Sequence, residues 1–153
     1  MKVSRDQLLS LREKTGAPIM RVKKVLDELN GDVEKAEQVL RKEGFEKAEK
    51  RLDRATHEGL IEVYVHHSGK IASVVEVLCE TDFVAKNDIF REMAHNLALQ
   101  LASFPAKSVQ DFLNQDYIKD PSKKVSELVR EVIAKTGENC RVSRIWRIEL
   151  GGD

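Results

Sequence analysis

An α+β fold is predicted by one change of hydrophobic period and one symmetry in the chain. Up to residue 58 the apolar residues recur at helical spacing; from Ile61 they alternate with polar ones as in a strand; and a second alternation, Asn139 to Leu150, closes the chain. Three units are expected: a three-helix module over residues 1–44, a charged linker helix over 45–58, and an α+β core over 59–153. In the core a three-stranded antiparallel sheet packs with helices on one face.

Ser4 with Gln7 forms a capping box, Leu8, Leu9 and Leu11 follow, and Gly16 is a C-terminal stop. Pro18 occupies a first-turn position, ahead of Ile19, Val22, Val25, Leu26 and Leu29 at helical spacing. Asn30-Gly31 ends that helix. Asp32 caps the third, whose apolar face is Val33, Ala36, Val39 and Leu40, and Gly44 is read as its stop. Phe45, Ala48, Leu52 and Ala55 continue a thin stripe among Lys47, Lys50, Arg51 and Arg54 and their acidic neighbours, which reads as a solvated linker helix.

Ile61, Val63 and Val65 alternate with Glu62, Tyr64 and His66, as expected of a half-buried strand, and Ser68-Gly69 turns the chain into a return strand, Ile71 to Cys79. Val74, Val75, Val77 and Leu78 nearly fill that strand, so it is expected to be covered on both faces. A helix from Asn87 or Asp88 carries Phe90, Met93, Ala94, Leu97 and Leu101, with Pro105 beyond it. Ser108 with Asp111 starts a short turn or helix. Asp120-Pro121-Ser122 reads as turn and cap for a helix with Val125, Leu128, Val129, Val132 and Ile133, ended by Gly137. In the last strand Cys140, Val142, Trp146, Ile148 and Leu150 alternate with Arg141, Ser143, Arg147 and Glu149, and Arg144 breaks the apolar row.

Composition narrows the function. Twenty-six basic residues balance 26 acidic ones, 41% of residues are apolar and 34% charged, so no global field recruits nucleic acid or a membrane. No apolar run approaches the roughly 20 residues a bilayer requires. The start, Met1-Lys2-Val3-Ser4, lacks a signal-type apolar region, and the chain is expected in the cytoplasm. Cys79 and Cys140 have neither metal-type spacing nor a disulfide-framework count and read as buried free thiols. No phosphate loop, nucleophile elbow or metal motif is present. Lys47, Lys50, Arg51 and Arg54 lack the interleaved aromatics of a nucleic-acid platform. No cofactor, metal or catalytic residue is expected, and by elimination the function is binding to another protein.

Thr81-Asp82-Phe83-Val84 is the stretch most in need of a functional account. An acid beside a large aromatic falls in a strand-to-helix connection, where chains run over the surface. Either Phe83 tucks into the core while Asp82 caps the turn, or the pair protrudes and enters a partner.

Three groups of residues carry a family resemblance. Leu11-Arg12-Glu13-Lys14-Thr15-Gly16-Ala17-Pro18-Ile19-Met20, with Lys23-Lys24 and Asn30-Gly31-Asp32, resembles the N-terminal module of bacterial elongation factor Ts, which has a ubiquitin-associated-like three-helix fold. Cys79-Glu80-Thr81-Asp82-Phe83-Val84-Ala85-Lys86 is similar to that family's most characteristic motif, and Lys135-Thr136-Gly137-Glu138-Asn139 to its second signature. Glu58-Gly59 and the closing Arg147-Ile148-Glu149-Leu150-Gly151 fit as well. The resemblance implies guanine-nucleotide exchange on elongation factor Tu. Thr81, Asp82, Phe83 and Val84 would be the tip disturbing the partner's magnesium and phosphate region. Arg12, Met20 and Lys23 match partner-facing positions of the N-terminal module, and Thr136 and Gly137 match core positions near the partner. Pro18, Ile19 and Thr136 depart from the usual residues, and Lys107 to Lys124 is too short for the second core half and helical hairpin of longer members. Short members pair, which implies a homodimer, with Trp146 and Arg144 as interface candidates. The alternative is an adaptor that docks through the three-helix module without promoting exchange.

Overall fold

The computed structural model describes residues 2–152. Helices α1 (Arg5–Thr15), α2 (Ile19–Glu28) and α3 (Val33–Glu49) form the N-terminal bundle. Ser4 opens α1 with the complete capping box: its Oγ accepts from the Gln7 amide at 3.1 Å, and Gln7 Oε1 accepts from the Ser4 amide at 3.0 Å. Asp32 caps α3 by accepting from the Lys35 amide. Leu11, Val22, Val25, Leu26, Ala36 and Leu40, taken from the stripes that helical spacing picks out, make a small core of their own, while Leu9 and Val39 of the same stripes are exposed.

Gly44 does not stop the third helix. α3 runs through it to Glu49, and residues 50–54 are turns and a bend in place of the expected linker helix. The glycine answers a packing demand: a Cβ at position 44 would lie 3.1 Å from Ala134 Cβ on α7 (Val125–Thr136). Ala48, late in α3, is fully buried in the core of the second unit. One helix therefore belongs to both hydrophobic cores.

The sheet has the order β1-β2-β5, all antiparallel, from β1 (Glu58–Val65), β2 (Ile71–Cys79) and β5 (Arg141–Glu149). Between β2 and β5 lie a single turn, α4 (Asp82–Ala85), the long α5 (Asp88–Ser103), the short α6 (Val109–Leu113), a hairpin of β3 (Asp116–Tyr117) and β4 (Asp120–Lys124), and α7. The β3-β4 hairpin stands where a turn and cap were expected, and α7 starts after Lys124 without a side-chain cap. Buried Gln100 on α5 holds the hairpin, donating to the Asp116 carbonyl and accepting from the Ile118 amide.

One face of the sheet is covered. Val75, Val77, Cys79 and Val142 pack with Phe90, Met93, Leu97 and Leu101 of α5 and with Val129 and Ile133 of α7. Ser73, also buried, donates to the Ala98 carbonyl at 2.6 Å. The other face is open, and two expectations fail on it. In β1 the exposed residues are Ile61, Val63 and Val65, while Leu60, Glu62 and Tyr64 turn toward α5. β2 is covered on one face only. In β5 the expected single apolar row is split by an irregularity opposite Glu76 and Val77. Val77 pairs with Val142 but Glu76 pairs with Arg144, leaving Ser143 as an extra residue. A strand's faces alternate with period two, so one extra residue reverses every later side chain. Val142 is buried; Trp146 and Ile148 are exposed.

Gly16 seats the N-terminal bundle on this core. It ends α1 at φ +71°, and a Cβ there would fall 2.7 Å from Lys135 Cα. Gly16→Ala is expected to cost about 2 kcal/mol through strain and overpacking, seen as a lower urea midpoint at unchanged slope.

Candidate functional site

The tip is built from its root upward. β2 ends at Cys79, and Thr81 caps the single turn α4, its Oγ1 accepting from the Val84 amide at 3.3 Å. The same residue is gripped from across the fold: its amide donates to Glu138 Oε1 at 2.9 Å and its hydroxyl to Glu138 Oε2 at 2.6 Å. Val84, three residues on, is buried in the sheet core. Residues three apart on a helix share a side, so Thr81 and Val84 anchor one side and direct Asp82 and Phe83 outward. Phe83 is 83% exposed, the most exposed large apolar side chain among the described residues. Asp82 lies beside Lys86 at 3.6 Å, both in solvent. Of the two readings open to the sequence for this pair, the structure excludes the one that tucks Phe83 into the core: both side chains protrude into solvent.

The second signature is the tip's foundation. Gly137 ends α7 with positive φ, which turns the chain so that Glu138 reaches Thr81 and Asn139 points into the interior. Asn139 Nδ2 donates to the carbonyls of Leu52 at 3.2 Å and Arg54 at 2.9 Å. Arg54 approaches the Gly137 carbonyl at 3.4 Å and Glu80 at 3.8 Å. Thr136 Oγ1 donates to the Val132 carbonyl and accepts from the Glu138 amide. Glu138 was not among the candidate residues. Its signal was present in the second signature, but which of five residues reaches the tip is a matter of tertiary structure.

Arg12, Met20 and Lys23 are all exposed, Met20 by 72%. Arg12 lines a cleft of about 340 Å³ with Leu9, Glu13, Gly16, Ile89 and Lys135, so it is brought beside the residue that follows the tip into α5. Thr136 and Gly137 line a different cleft, facing Gly16, Pro18, Arg21 and Lys47. Trp146 and Arg144 belong to neither: they stand on the open sheet face. There Val74 pairs with Val63 and Trp146, and Ala72 with Val65 and Ile148, giving two apolar rows across three strands. A third row runs Ile61, Glu76, Arg144. Arg144 donates to Glu76 at 2.5 Å and lies 5.2 Å over the Trp146 ring. That guanidinium, with the Ser143 hydroxyl, holds the Glu76 carboxyl below its ordinary range.

Comparison with known proteins adds a family to this geometry. The family profile described as Elongation factor TS matches residues 80–153. A relative named Elongation factor Ts from Thermotoga maritima is 41% identical over 194 aligned positions, covering 99% of this chain and 98% of its own. The chain belongs to the elongation factor Ts family. A second Elongation factor Ts, from Herpetosiphon aurantiacus, is 37% identical with both chains covered in full. An Elongation factor Ts from Clostridium botulinum is 42% identical over 97% of this chain but only 48% of its own length. The Thermotoga alignment is longer than the 153 residues of this chain, so that elongation factor Ts carries residues without a counterpart here.

Within this elongation factor Ts chain the Glu138 carboxylate is the testable support of the tip. Glu138→Ala leaves the Thr81 amide and hydroxyl without their partner and is expected to cost about 2 kcal/mol. Amide hydrogen exchange over residues 82–86 should accelerate by more than the global loss of stability requires, while Phe83→Ala leaves it unchanged.

Proposed function

We propose that this chain promotes release of guanine nucleotide from elongation factor Tu, with Asp82 and Phe83 as the intruding pair. The observation that carries the reading is the solvent-facing Phe83 on a turn clamped at Thr81 and Val84. A large aromatic held in water on a fixed turn is a preorganised anchor, because little conformational freedom is left to lose on binding. Asp82 beside it brings negative charge, to which a magnesium and phosphate site is sensitive. The factor forms and breaks no covalent bond. It acts by binding nucleotide-free partner more tightly than nucleotide-bound partner, so factor and nucleotide weaken each other reciprocally. Arg12, Met20 and Lys23 on the three-helix module of residues 1–44 supply docking affinity. Residues 45–58 link that module to the core of residues 59–153, where Thr136 and Gly137 complete the contact surface. The work belongs in the cytoplasm, where translation proceeds.

The test is displacement of a fluorescent GDP analogue from elongation factor Tu under excess GDP. Wild type accelerates release. Phe83→Ala, which removes an anchor of about 2 kcal/mol or more, slows exchange by roughly thirtyfold without altering the unfolding midpoint. Binding that survives with no acceleration by wild type would favour an adaptor docking through the three-helix module.

The active form is a homodimer closed through the open sheet face. Ile61, Val63, Val65, Val74, Trp146 and Ile148 present a contiguous apolar surface that monomeric proteins seldom leave in water. A two-fold axis would lay the surface against its own copy, a self-complementary contact between sheets. Trp146 and Arg144 then sit inside the interface. Light scattering should give twice the 17.4 kDa of one chain. Trp146→Glu with Ile148→Lys should give a folded species of one chain mass.

A further inference from the structure

The thiols of Cys79 and Cys140 play no part in the reading above, yet their placement is specific. Val77 pairs with Val142 and Leu78 with Arg141 in antiparallel register; extended by one position past the start of β5, that register sets Cys79, the last residue of β2, opposite Cys140. The irregularity lies on the other side of this stretch, toward Glu76, and leaves the register here intact. Directly opposed residues of antiparallel strands have Cα atoms about 4.5–5.5 Å apart, inside the range a disulfide spans. Both side chains are buried in the same hydrophobic cluster, at 0% and 1% exposure. The two sulfurs also flank the tip clamp in parallel fashion. Cys79 Sγ donates to the Thr81 carbonyl at 3.1 Å and Cys140 Sγ to the Glu138 carbonyl at 3.6 Å, while Thr81 and Glu138 bond each other.

We propose that Cys79 and Cys140 are a cross-strand dithiol that a small-molecule disulfide oxidises to an intrachain disulfide at the root of the tip. The exchange balances in two steps. The thiolate of one cysteine attacks a sulfur of the oxidant, whose S–S bond breaks to release one thiol and leave a mixed disulfide. The second cysteine's thiolate then attacks the protein sulfur and expels the other half of the oxidant as a second thiol. Two protein thiols are oxidised and one small disulfide is reduced; the protons of the two cysteines end on the released thiols. Burial sets the tempo. It pushes the Cys79 thiol up to about 11 and the Cys140 thiol up to about 12, so little thiolate exists in the closed structure. Reaction proceeds through openings of the strand ends, and the site stays reduced until an oxidising condition persists. Once closed, the bond ties Cys79, at the end of β2, to Cys140, two residues past Glu138.

The experiment incubates the full-length protein with oxidised glutathione to equilibrium and reads mass, thiol content and peptide linkage. Expected are a loss of two hydrogens without adduct and loss of both free thiols. Trypsin should yield one linked pair, Ile71–Lys86 joined to Thr136–Arg141, and dithiothreitol should restore the starting mass. The oxidised protein should show a raised unfolding midpoint. Cys140→Ser and Cys79→Ser should each take up one glutathione adduct and show no such rise. Should one serine variant fail to fold, the wild-type mass and peptide map still decide. Two adducts per wild-type chain, a disulfide between two chains, or two thiols still reduced after cycles of unfolding and refolding in the same buffer would each overturn the proposal.

Discussion

The Glu138 carboxylate is the junction on which the tip depends. Each of its oxygens accepts a hydrogen bond from Thr81, one from the backbone and one from the side chain, and bonds to an ionised acceptor are shorter and stronger than neutral ones. Thr81 is thereby fixed in both position and rotamer while it still caps the next turn. Its neighbours in the second signature serve other parts of the molecule. Asn139 holds the segment at residues 52–54, and Lys135 lies against Gly16 at the end of α1. A run of five residues thus connects the N-terminal helices, the segment after α3 and the tip. This connection brings two signatures nearly sixty positions apart into direct contact.

The two hydrophobic cores are joined by contacts of a different kind. Where α3 crosses α7 the approach is close enough to require Gly44, and where α1 ends the backbone of Gly16 touches Lys135. Ion pairs line the same seam: Arg41 with Glu131 at 2.6 Å, and Arg130 with Glu49 at 3.4 Å. These pairs are partly exposed and contribute modestly to stability. Their effect is orientation, since the glycines set the distance of approach and the charges set the lateral position. The placement of Arg12 near the start of α5 follows from this seating.

Most elements were legible in the sequence because their signals were local. The capping box at Ser4, the helix stop at Gly16, the cap at Asp32 and the turn at Ser68-Gly69 all hold in the structure. The failures have one cause: tertiary packing gave a residue a different task from its local one. Gly44 carries the same letter whether it ends a helix or lets two helices touch. Ile61, Val63 and Val65 show the alternation of a half-buried strand, but alternation does not say which face the helices cover. Gln100 holds the β3-β4 hairpin through bonds to residues fifteen or more positions away, and no local pattern announces it. At the tip the sequence narrowed Phe83 to two environments, and only the grip of Glu138 on Thr81 makes the outward one intelligible.

Ser143 gives strand β5 a division of labour. Before it, Cys140 and Val142 serve the interior; after it, Trp146 and Ile148 serve the surface, although all four belong to one apolar alternation. The strand's length is therefore constrained separately from its composition. Removing the single codon for residue 143 would leave every other amino acid unchanged and take away only the extra residue, so that inward Val142 would be followed directly by outward Arg144 in unbroken alternation. Trp146 and Ile148 would still face outward, and Ile145 and Arg147 would still face the helices. A lineage can lose the extra residue and keep both faces, whereas a one-residue deletion farther along the strand, past Arg144, would exchange core with exterior at every later position.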